Sequence, residues 1–183
     1  KNKKVLKQEA NVTLEKIDYL KKVLRGKYGW ELWAKVYRRE LFDEPMYIPC
    51  HLRIGEDATV YMQLVARSCK VKIINEALYN YIQYPSSASH QRSVTLAEET
   101  LQAAFYIDHL LKKESFYQEI RDEIDAMYLL FYSNSTRKAF LRLNHPLIYQ
   151  VYQEHYSLRA LKILPLFKSI YISLSLLLRK TLS

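Results

Sequence analysis

Apolar residues at every third or fourth position predict helices in the first part of the chain. Between residues 13 and 24 they stand at Leu14, Ile17, Leu20 and Leu24, and Gly26 directly afterwards predicts the end of this helix. Gly55 is expected to open a second helix over residues 56–68. One face of it carries Tyr61, Leu64, Val65 and Ser68, and Asp57 falls on that same face one turn before Tyr61.

Two short stretches rich in β-branched and aromatic residues predict strands. They are VKIIN (71–75) and LYNYIQY (78–84), which flank Glu76 and Ala77 and are expected to form a β-hairpin. The segment WELWAKVYRRELF (30–42) is aromatic and basic, and it predicts an extended piece followed by a helical turn. Pro45 and Pro49 mark the loop that follows it.

Strand signals disappear after residue 95, and the rest of the chain predicts helices. We place them over 96–112, 116–132, 136–143 and 146–155, with a last one from Leu158 onward. The expected fold class is therefore α+β and predominantly helical. The composition changes near Ser93, which divides the chain into a mixed part (1–92) and a helical appendage (93–183).

The last predicted helix combines an apolar stripe with basic residues. The stripe contains Ile163, Leu166, Phe167, Ile170, Leu174, Leu177 and Leu178, whereas Lys168, Ser175 and Arg179 lie away from it. Its longest uncharged run, Ser169 to Leu178, has ten residues, about half of what a bilayer span requires. Two arrangements stay open: contact with a membrane interface, or packing on the other helices.

The charge of the chain narrows the choice of partners. Its 28 Lys and Arg residues against 19 Asp and Glu residues give a net charge of +9, which suits nucleic acid, an anionic membrane or a phosphorylated substrate. After Glu154 there is no acidic residue, while Arg159, Lys162, Lys168, Arg179 and Lys180 stand among apolar residues. This pattern favours peripheral contact of the last helix with a membrane.

Nucleic-acid binding is the alternative function, because the 16 tyrosines could stack on bases. No helix-turn-helix or ribonucleoprotein motif supports it, and we expect no nucleic-acid partner. Cys50 and Cys69 match neither a metal-ligand pair nor a disulfide framework, which indicates a reducing, cytoplasmic location. The chain begins at Lys1 with a polar segment, so we expect it to be part of a longer protein.

The strongest local signal for chemistry is the triplet Gly55-Glu56-Asp57 at a helix start. The glycine lets the backbone turn sharply, and the helix terminus holds carboxylates in place. Helix capping is the alternative role of these two acids.

Three segments in order resemble the second half of family 2 glycosyltransferases, the bacterial enzymes that build surface polysaccharides. They are WAKVYRRELF (33–42), the GED triplet (55–57) and ALYNYIQYPSSAS (77–89), and the resemblance covers residues 13–92. It implies the C-terminal, acceptor-side part of a GT-A type fold. It also implies inverting transfer of a sugar from a nucleoside-diphosphate donor to a glycan or lipid-linked acceptor, at the inner face of the cell membrane.

The resemblance also implies roles for individual residues. Asp57 would be the general base that takes the proton from the acceptor hydroxyl, and Glu56 would support it. Trp33, together with Trp30, would offer a flat wall to a sugar ring, although core packing is the alternative for both indoles. Lys35 would offset the diphosphate charge.

Two further positions lie in the loop that follows these segments. Ser87 and His90 match a flexible stretch that closes over the donor, and solvent exposure is the alternative for His90. The family carries a DxD pair that holds Mg²⁺ or Mn²⁺ with the donor phosphates, and this chain has no such pair and no glycine-rich phosphate loop. We therefore expect the divalent metal in the full-length enzyme, no metal site in this part, and no transfer by this part alone.

Overall fold

The computed structural model describes residues 11–82, 93–138 and 145–180, without the side chains of residues 137–138 and 176–180. It is a mostly helical α+β structure, as the sequence predicts. Its strands are β1 (Val12–Glu15) and β2 (Lys70–Ile73). Its helices are α1 (Lys16–Leu24), α2 (Glu56–Arg67), α3 (Val94–Leu111), α4 (Arg121–Lys138), α5 (Pro146–His155), α6 (Leu158–Ile163) and α7 (Leu166–Lys180), with 3₁₀ turns at Arg39–Phe42 and Tyr117–Ile120.

The sheet does not contain the predicted hairpin. β2 pairs antiparallel with β1, in a register that sets Val12 opposite Ile73, and residues 78–82 form no regular structure. This pairing buries Ile73 against the core, whereas the tyrosines of the 78–82 segment stack on an indole instead. Because residues 13–15 belong to β1, α1 begins at Lys16 rather than at residue 13, and the Lys16 N–H donates to the Cys69 carbonyl at 3.0 Å.

Helix α4 lies at the centre of the helical packing. Every residue from 123 to 133 is buried, which is typical of a helix surrounded by others. The two helices predicted over 116–132 and 136–143 are wrong in their boundaries, because α4 continues through residue 138 after a 3₁₀ turn. The polar residues near the C-terminus of α4 do not end the helix, because their hydroxyls find carbonyl acceptors. Thr136 Oγ1 donates to the Tyr132 carbonyl at 2.9 Å, and Ser135 Oγ donates to the Ala97 carbonyl of α3 at 3.2 Å.

Two buried carboxylates of α4 have partners from neighbouring elements. Arg25, directly after α1, forms an ion pair with Glu123, and His155 Nδ1 of α5 lies 2.9 Å from Asp125 Oδ1. These contacts tie α1 and α5 to the same central helix, since a buried carboxylate without a partner is costly.

The last predicted helix is two helices, and its apolar stripe faces the other way. Pro165 separates α6 from α7, because the residue before a proline is disfavoured in helical geometry. Among residues 166–175 of α7, Ile172 and Ser175 are buried, and Ser175 shares a hydrogen bond of 2.7 Å with the Tyr132 hydroxyl. The predicted stripe residues Leu166, Phe167, Ile170 and Leu174 are exposed.

One hydrophobic core draws on residues from both sides of Ser93. Met62 of α2 and Leu101 of α3 are both fully buried in it, and the domain boundary near Ser93 stays a prediction. Within the described ranges, no helix combines the length and apolar content that crossing a bilayer requires.

Gly55, directly before α2, lies against Ala103 of α3. Its backbone is left-handed, with a φ of 97°, and a Cβ at this position would lie 2.4 Å from the Ala103 Cβ. Only glycine combines this conformation with this separation. Gly55 therefore fixes both the first residue of α2 and the position at which this end of α2 packs against α3.

Replacing Gly55 by alanine is expected to lower the free energy of unfolding by about 2–4 kcal/mol, the sum of left-handed strain and a steric overlap. Urea denaturation measures it. Gly29→Ala is the matched control, because a Cβ there meets only the end of the flexible Glu31 side chain, and it should change stability by less than about 1 kcal/mol. The double variant Gly55→Ala/Ala103→Gly should recover the steric part less about 1 kcal/mol, because it places a glycine inside helix α3. Equal effects of the two single variants would contradict this account.

Candidate functional site

The N-terminus of α2 presents two carboxylates with different surroundings. Both Glu56 and Asp57 are half-buried in the first turn after Gly55. Burial is the main cause that raises the pKa of Glu56; the charges of Asp57 and Glu99 act in the same direction, and the backbone N–H groups of Glu56 and Asp57 oppose them. The Asp57 carboxylate forms no hydrogen bond or ion pair within the described part of the chain.

Asp57 and four neighbouring side chains form what we term the Asp57 cluster: Glu31, Lys35, Tyr37, Asp57 and Tyr61. The negative charge of Asp57 adds to the raised pKa of Tyr37 and partly opposes the lowering of the Lys35 pKa by burial, which places both groups within its electrostatic reach. Tyr61 follows Asp57 by one turn of α2, as the sequence pattern indicates. The segment before the 3₁₀ turn supplies the other three members.

Lys35 lies over the ring of Tyr61 as a partly desolvated cation. Its Nζ is 4.7 Å from the ring centroid, donates to the Glu31 carbonyl, and lies 3.6 Å from Glu31 Oε2. Burial, the largest cause, lowers the pKa of Lys35, and the charges of Glu31 and Asp57 counteract it. The cluster thus holds a positive charge between two carboxylates and an aromatic face.

The tyrosines of the cluster are neutral at physiological pH. Burial, followed by the charges of Tyr19 and Asp57, raises the pKa of Tyr37 to about 12. Burial also raises the pKa of Tyr61, whose hydroxyl shares a hydrogen bond of 2.5 Å with that of Tyr19. A phenol held neutral keeps its proton, so these hydroxyls can donate hydrogen bonds.

Backbone strain separates Trp33 from Lys35. Ala34, between them, has a φ of 58° in the left-handed region, which is uncommon for a residue with a Cβ. Strain of this kind concentrates at functional segments, where the surrounding contacts hold it in place. Here Lys35 lies on Tyr61, while Trp33 stacks on two rings of the 78–82 segment.

The two tryptophans do not form one wall. Trp33 stacks on Tyr81 at a centroid distance of 4.5 Å and an angle of 7°, and on Tyr79 at 5.4 Å. Trp30 instead stacks on Phe131 of α4 at 4.7 Å. Trp33 therefore belongs to an aromatic ladder beside the Asp57 cluster, and Trp30 anchors the same segment to the core.

An ion pair with two-point geometry supports the loop before Gly55. Glu99 of α3 accepts the Arg53 N–H at 2.9 Å through one oxygen, and Nε and Nη2 of the Arg53 guanidinium at 3.1 and 3.0 Å through the other. Burial works to raise the pKa of Glu99, but the backbone N–H and guanidinium of Arg53 outweigh it and lower the pKa. This contact holds the first turn of α2 from outside the cluster.

A cavity of about 470 Å³ lies elsewhere, along the second half of α3. Its lining consists of Tyr47, Phe105, Tyr106, His109, Leu110 and Lys113, and none of the predicted site residues belongs to it. Its wall is mostly apolar and aromatic, so it offers no carboxylate for proton transfer. The chemistry is better placed at the Asp57 cluster than in this larger space.

Several members of the site escaped the sequence reasoning. Glu31 lies just before the WAKVYRRELF motif, Tyr37 lies inside it without a predicted role, and Glu99 lies 42 residues beyond Asp57. The alternation of Tyr79 and Tyr81 was a usable signal, because residues two apart in an extended chain face the same side. Ser87 and His90 lie outside the described residues. No group of three or more His, Cys, Asp or Glu side chains in the described ranges could hold a metal ion.

The fold and the site define a mostly helical α+β protein with an open carboxylate beside a cation and stacked aromatic rings. Over 101 residues the chain is 29% identical to a protein of Bacillus subtilis (strain 168) described as an uncharacterized glycosyltransferase, EpsJ. The aligned part is 53% of this chain and only 29% of the length of that relative. No family model and no solved structure matches the chain. The similarity indicates a relationship to a glycosyltransferase.

Glu99→Gln is expected to lower the free energy of unfolding by about 0.5–2 kcal/mol at neutral pH. The expected loss is smaller than for a fully buried ion pair, because the Arg53 side chain is mostly exposed and solvent screens its charge. The pKa of Glu99 in the folded state lies below its ordinary value of 4.5, so the stabilisation is present above that pH and is lost as the pH falls further. The difference between wild type and variant should therefore shrink in acid. Urea titrations across this range measure it.

The control for this prediction is Glu119→Gln, which removes an exposed ion pair with Lys21 and should have almost no effect at any pH. A stability difference for Glu99→Gln that does not change with pH would mean that the lost contact is not the charged pair.

Trp33→Ala and Trp30→Ala are expected to act differently. Removing Trp30 takes an indole from the core contact with Phe131 and should cost about 2–3 kcal/mol of unfolding free energy. Removing Trp33 breaks the stack with Tyr79 and Tyr81, and should cost about 1 kcal/mol while increasing amide exchange in residues 78–82. Hydrogen exchange read by mass spectrometry distinguishes the two. Unchanged exchange in that segment would exclude Trp33 as its anchor.

Proposed function

We propose that this chain is the acceptor-side part of an inverting glycosyltransferase of family 2 with a GT-A type fold. It would act in bacterial surface polysaccharide or glycan synthesis, on the cytoplasmic face of the membrane. The observation that carries the proposal is the Asp57 carboxylate, which has no partner in the described residues and lies beside Lys35 and the rings of the Asp57 cluster. The similarity to a protein described as a glycosyltransferase supports it.

In the proposed reaction, Asp57 takes the proton of an acceptor hydroxyl while that oxygen attacks the anomeric carbon of the donor sugar. The bond between this carbon and the diphosphate oxygen breaks, and the nucleoside diphosphate leaves with the electron pair. Attack from the side opposite the leaving group inverts the configuration. A positioned carboxylate suits the step, because proton removal becomes favourable only as the new bond forms.

Neighbouring residues would position the reactants. The ladder of Trp33, Tyr79 and Tyr81 offers flat faces on which a sugar ring can stack. Lys35 would offset the charge of the donor diphosphate, because it is a partly desolvated cation within electrostatic reach of Asp57. Glu56 would hold the turn that carries Asp57, and Trp30 would fix the segment to α4.

We propose that binding of the nucleoside-diphosphate sugar is supplied by a part of the enzyme other than the described residues. A divalent metal, Mg²⁺ or Mn²⁺, would supply charge neutralisation for the diphosphate, but the described residues offer no cluster that fits such an ion. The proposed proton transfer to Asp57 does not involve this metal ion. Ser87 and His90 are proposed to approach the donor, and this chain alone is not expected to complete the transfer.

Asp57→Asn in the complete natural polypeptide is expected to lower kcat/KM about 10²- to 10⁴-fold, because the amide cannot accept the proton. The measurement is release of nucleoside diphosphate from a panel of UDP- and GDP-sugars in the presence of the membrane fraction as acceptor. The unfolding midpoint is recorded in parallel, and it should change little because the carboxylate has no partner in the described part of the chain.

The matched control is Asp18→Asn, which removes an exposed carboxylate from the first turn of α1, far along the chain from the Asp57 cluster. It should leave the rate within about twofold of wild type. A folded Asp57→Asn protein with undiminished transfer would remove Asp57 from the role of base.

A further inference from the structure

Helix α7 presents an apolar face to solvent. Leu166, Phe167, Ile170 and Leu174 are 76, 59, 50 and 55% exposed. At 3.6 residues per turn, these four positions lie within an arc of about 100° on the helix surface. Four large exposed side chains on one arc are a contiguous patch rather than scattered exceptions, and such patches mark interaction surfaces.

The opposite face of α7 is already used. Ile172 is fully buried, Ser175 bonds to Tyr132, and Ser169 Oγ donates to the Leu161 carbonyl at 2.7 Å. These contacts fix the rotation of the helix about its axis. The exposed apolar residues therefore cannot turn inward without breaking these hydrogen bonds. They remain available to a surface other than the described core on which α7 packs.

The charges around the patch select the partner. No acidic residue follows Glu154, and Arg159 and Lys162 are exposed on α6, directly before α7. Lys168, Arg179 and Lys180 are further basic residues of α7 itself. A second copy of a chain with a net charge of +9 would bring like charges together, whereas an anionic lipid surface neutralises them.

We infer that the outward face of α7 binds an anionic membrane surface, with α7 lying parallel to the bilayer plane. Leu166, Phe167, Ile170 and Leu174 enter the boundary between headgroups and acyl chains, to a depth of about 5–10 Å. Arg159 and Lys162 of α6 contact the anionic headgroups. This inference does not depend on the proposed transferase activity, because it uses no residue of the Asp57 cluster.

The test is co-sedimentation of the 183-residue chain with vesicles of phosphatidylglycerol and phosphatidylcholine, compared with vesicles of phosphatidylcholine alone. Binding is expected to the anionic vesicles and to weaken as salt is added, since screening reduces the headgroup attraction. Replacing all four patch residues with glutamine should lower the partition coefficient about tenfold or more. Circular dichroism should show an unchanged helix content, because the substituted side chains are exposed.

The matched control replaces four exposed apolar residues outside α7, namely Val36, Ile48, Leu78 and Ile82, with glutamine. It should bind vesicles as the wild type does. A second variant, Arg159→Glu/Lys162→Glu, leaves the patch intact and should lower binding to anionic vesicles only, which keeps the test valid if the fourfold variant fails to fold.

Three results would overturn the inference. The first is equal sedimentation with anionic and neutral vesicles, and the second is equal loss of binding in the control variant. The third is a wild-type dimer in analytical ultracentrifugation that the fourfold patch variant converts to monomer without vesicle binding by either protein, which would assign the face to a second copy of the chain.

Discussion

The contact between Gly55 and Ala103 is the constraint on which the arrangement of the site depends. It lets the N-terminus of α2 lie directly on α3, and the ion pair of Arg53 with Glu99 fixes the same loop one helical turn away along α3. The first turn of α2 thereby gains a position that neither helix could define alone. Asp57 has no hydrogen-bond or ion-pair partner among the described residues, and the contacts of Gly55 and Arg53 hold the turn that carries it.

Burial and charge act against each other within the Asp57 cluster. Burial lowers the pKa of Lys35 and raises that of Tyr37, while the carboxylates of Glu31 and Asp57 partly restore the cation and disfavour ionisation of the phenol. The result is a region with one cation, two acids and neutral hydroxyls packed between aromatic rings. Such a composition suits a ligand that is polar at its hydroxyl groups and apolar on its ring faces, as a sugar is.

The sequence reveals those parts of this structure that depend on local signals. The start of α2 at Gly55 and the start of α5 at Pro146 follow from residues that open helices in any context. The pairing of β2 with β1 could not be read in the same way, because it joins segments almost sixty residues apart and competes with a local hairpin that looks equally favourable. The Asp57 cluster is visible only in part for the same reason: Lys35, Tyr37 and Asp57 stand in motifs. Glu31 stands outside them, and only the structure shows its contact with Lys35.

The alternative in which the apolar stripe of α7 packs on the other helices is wrong for the described stripe residues of α7, for a related physical reason. The contact between Ser175 and Tyr132 also links α7 to the Asp57 cluster. Periodicity places Ser175 outside the apolar stripe, but a serine that finds the Tyr132 hydroxyl can be buried at little cost. Tyr132 is adjacent in α4 to Phe131, on which Trp30 stacks. One central helix thus holds both α7 and the aromatic segment that leads to the Asp57 cluster. Because α4 is buried along most of its length, α7 and the aromatic segment pack on the same well-supported helix. A membrane that binds α7 would therefore also set the distance and orientation of the Asp57 cluster relative to that membrane.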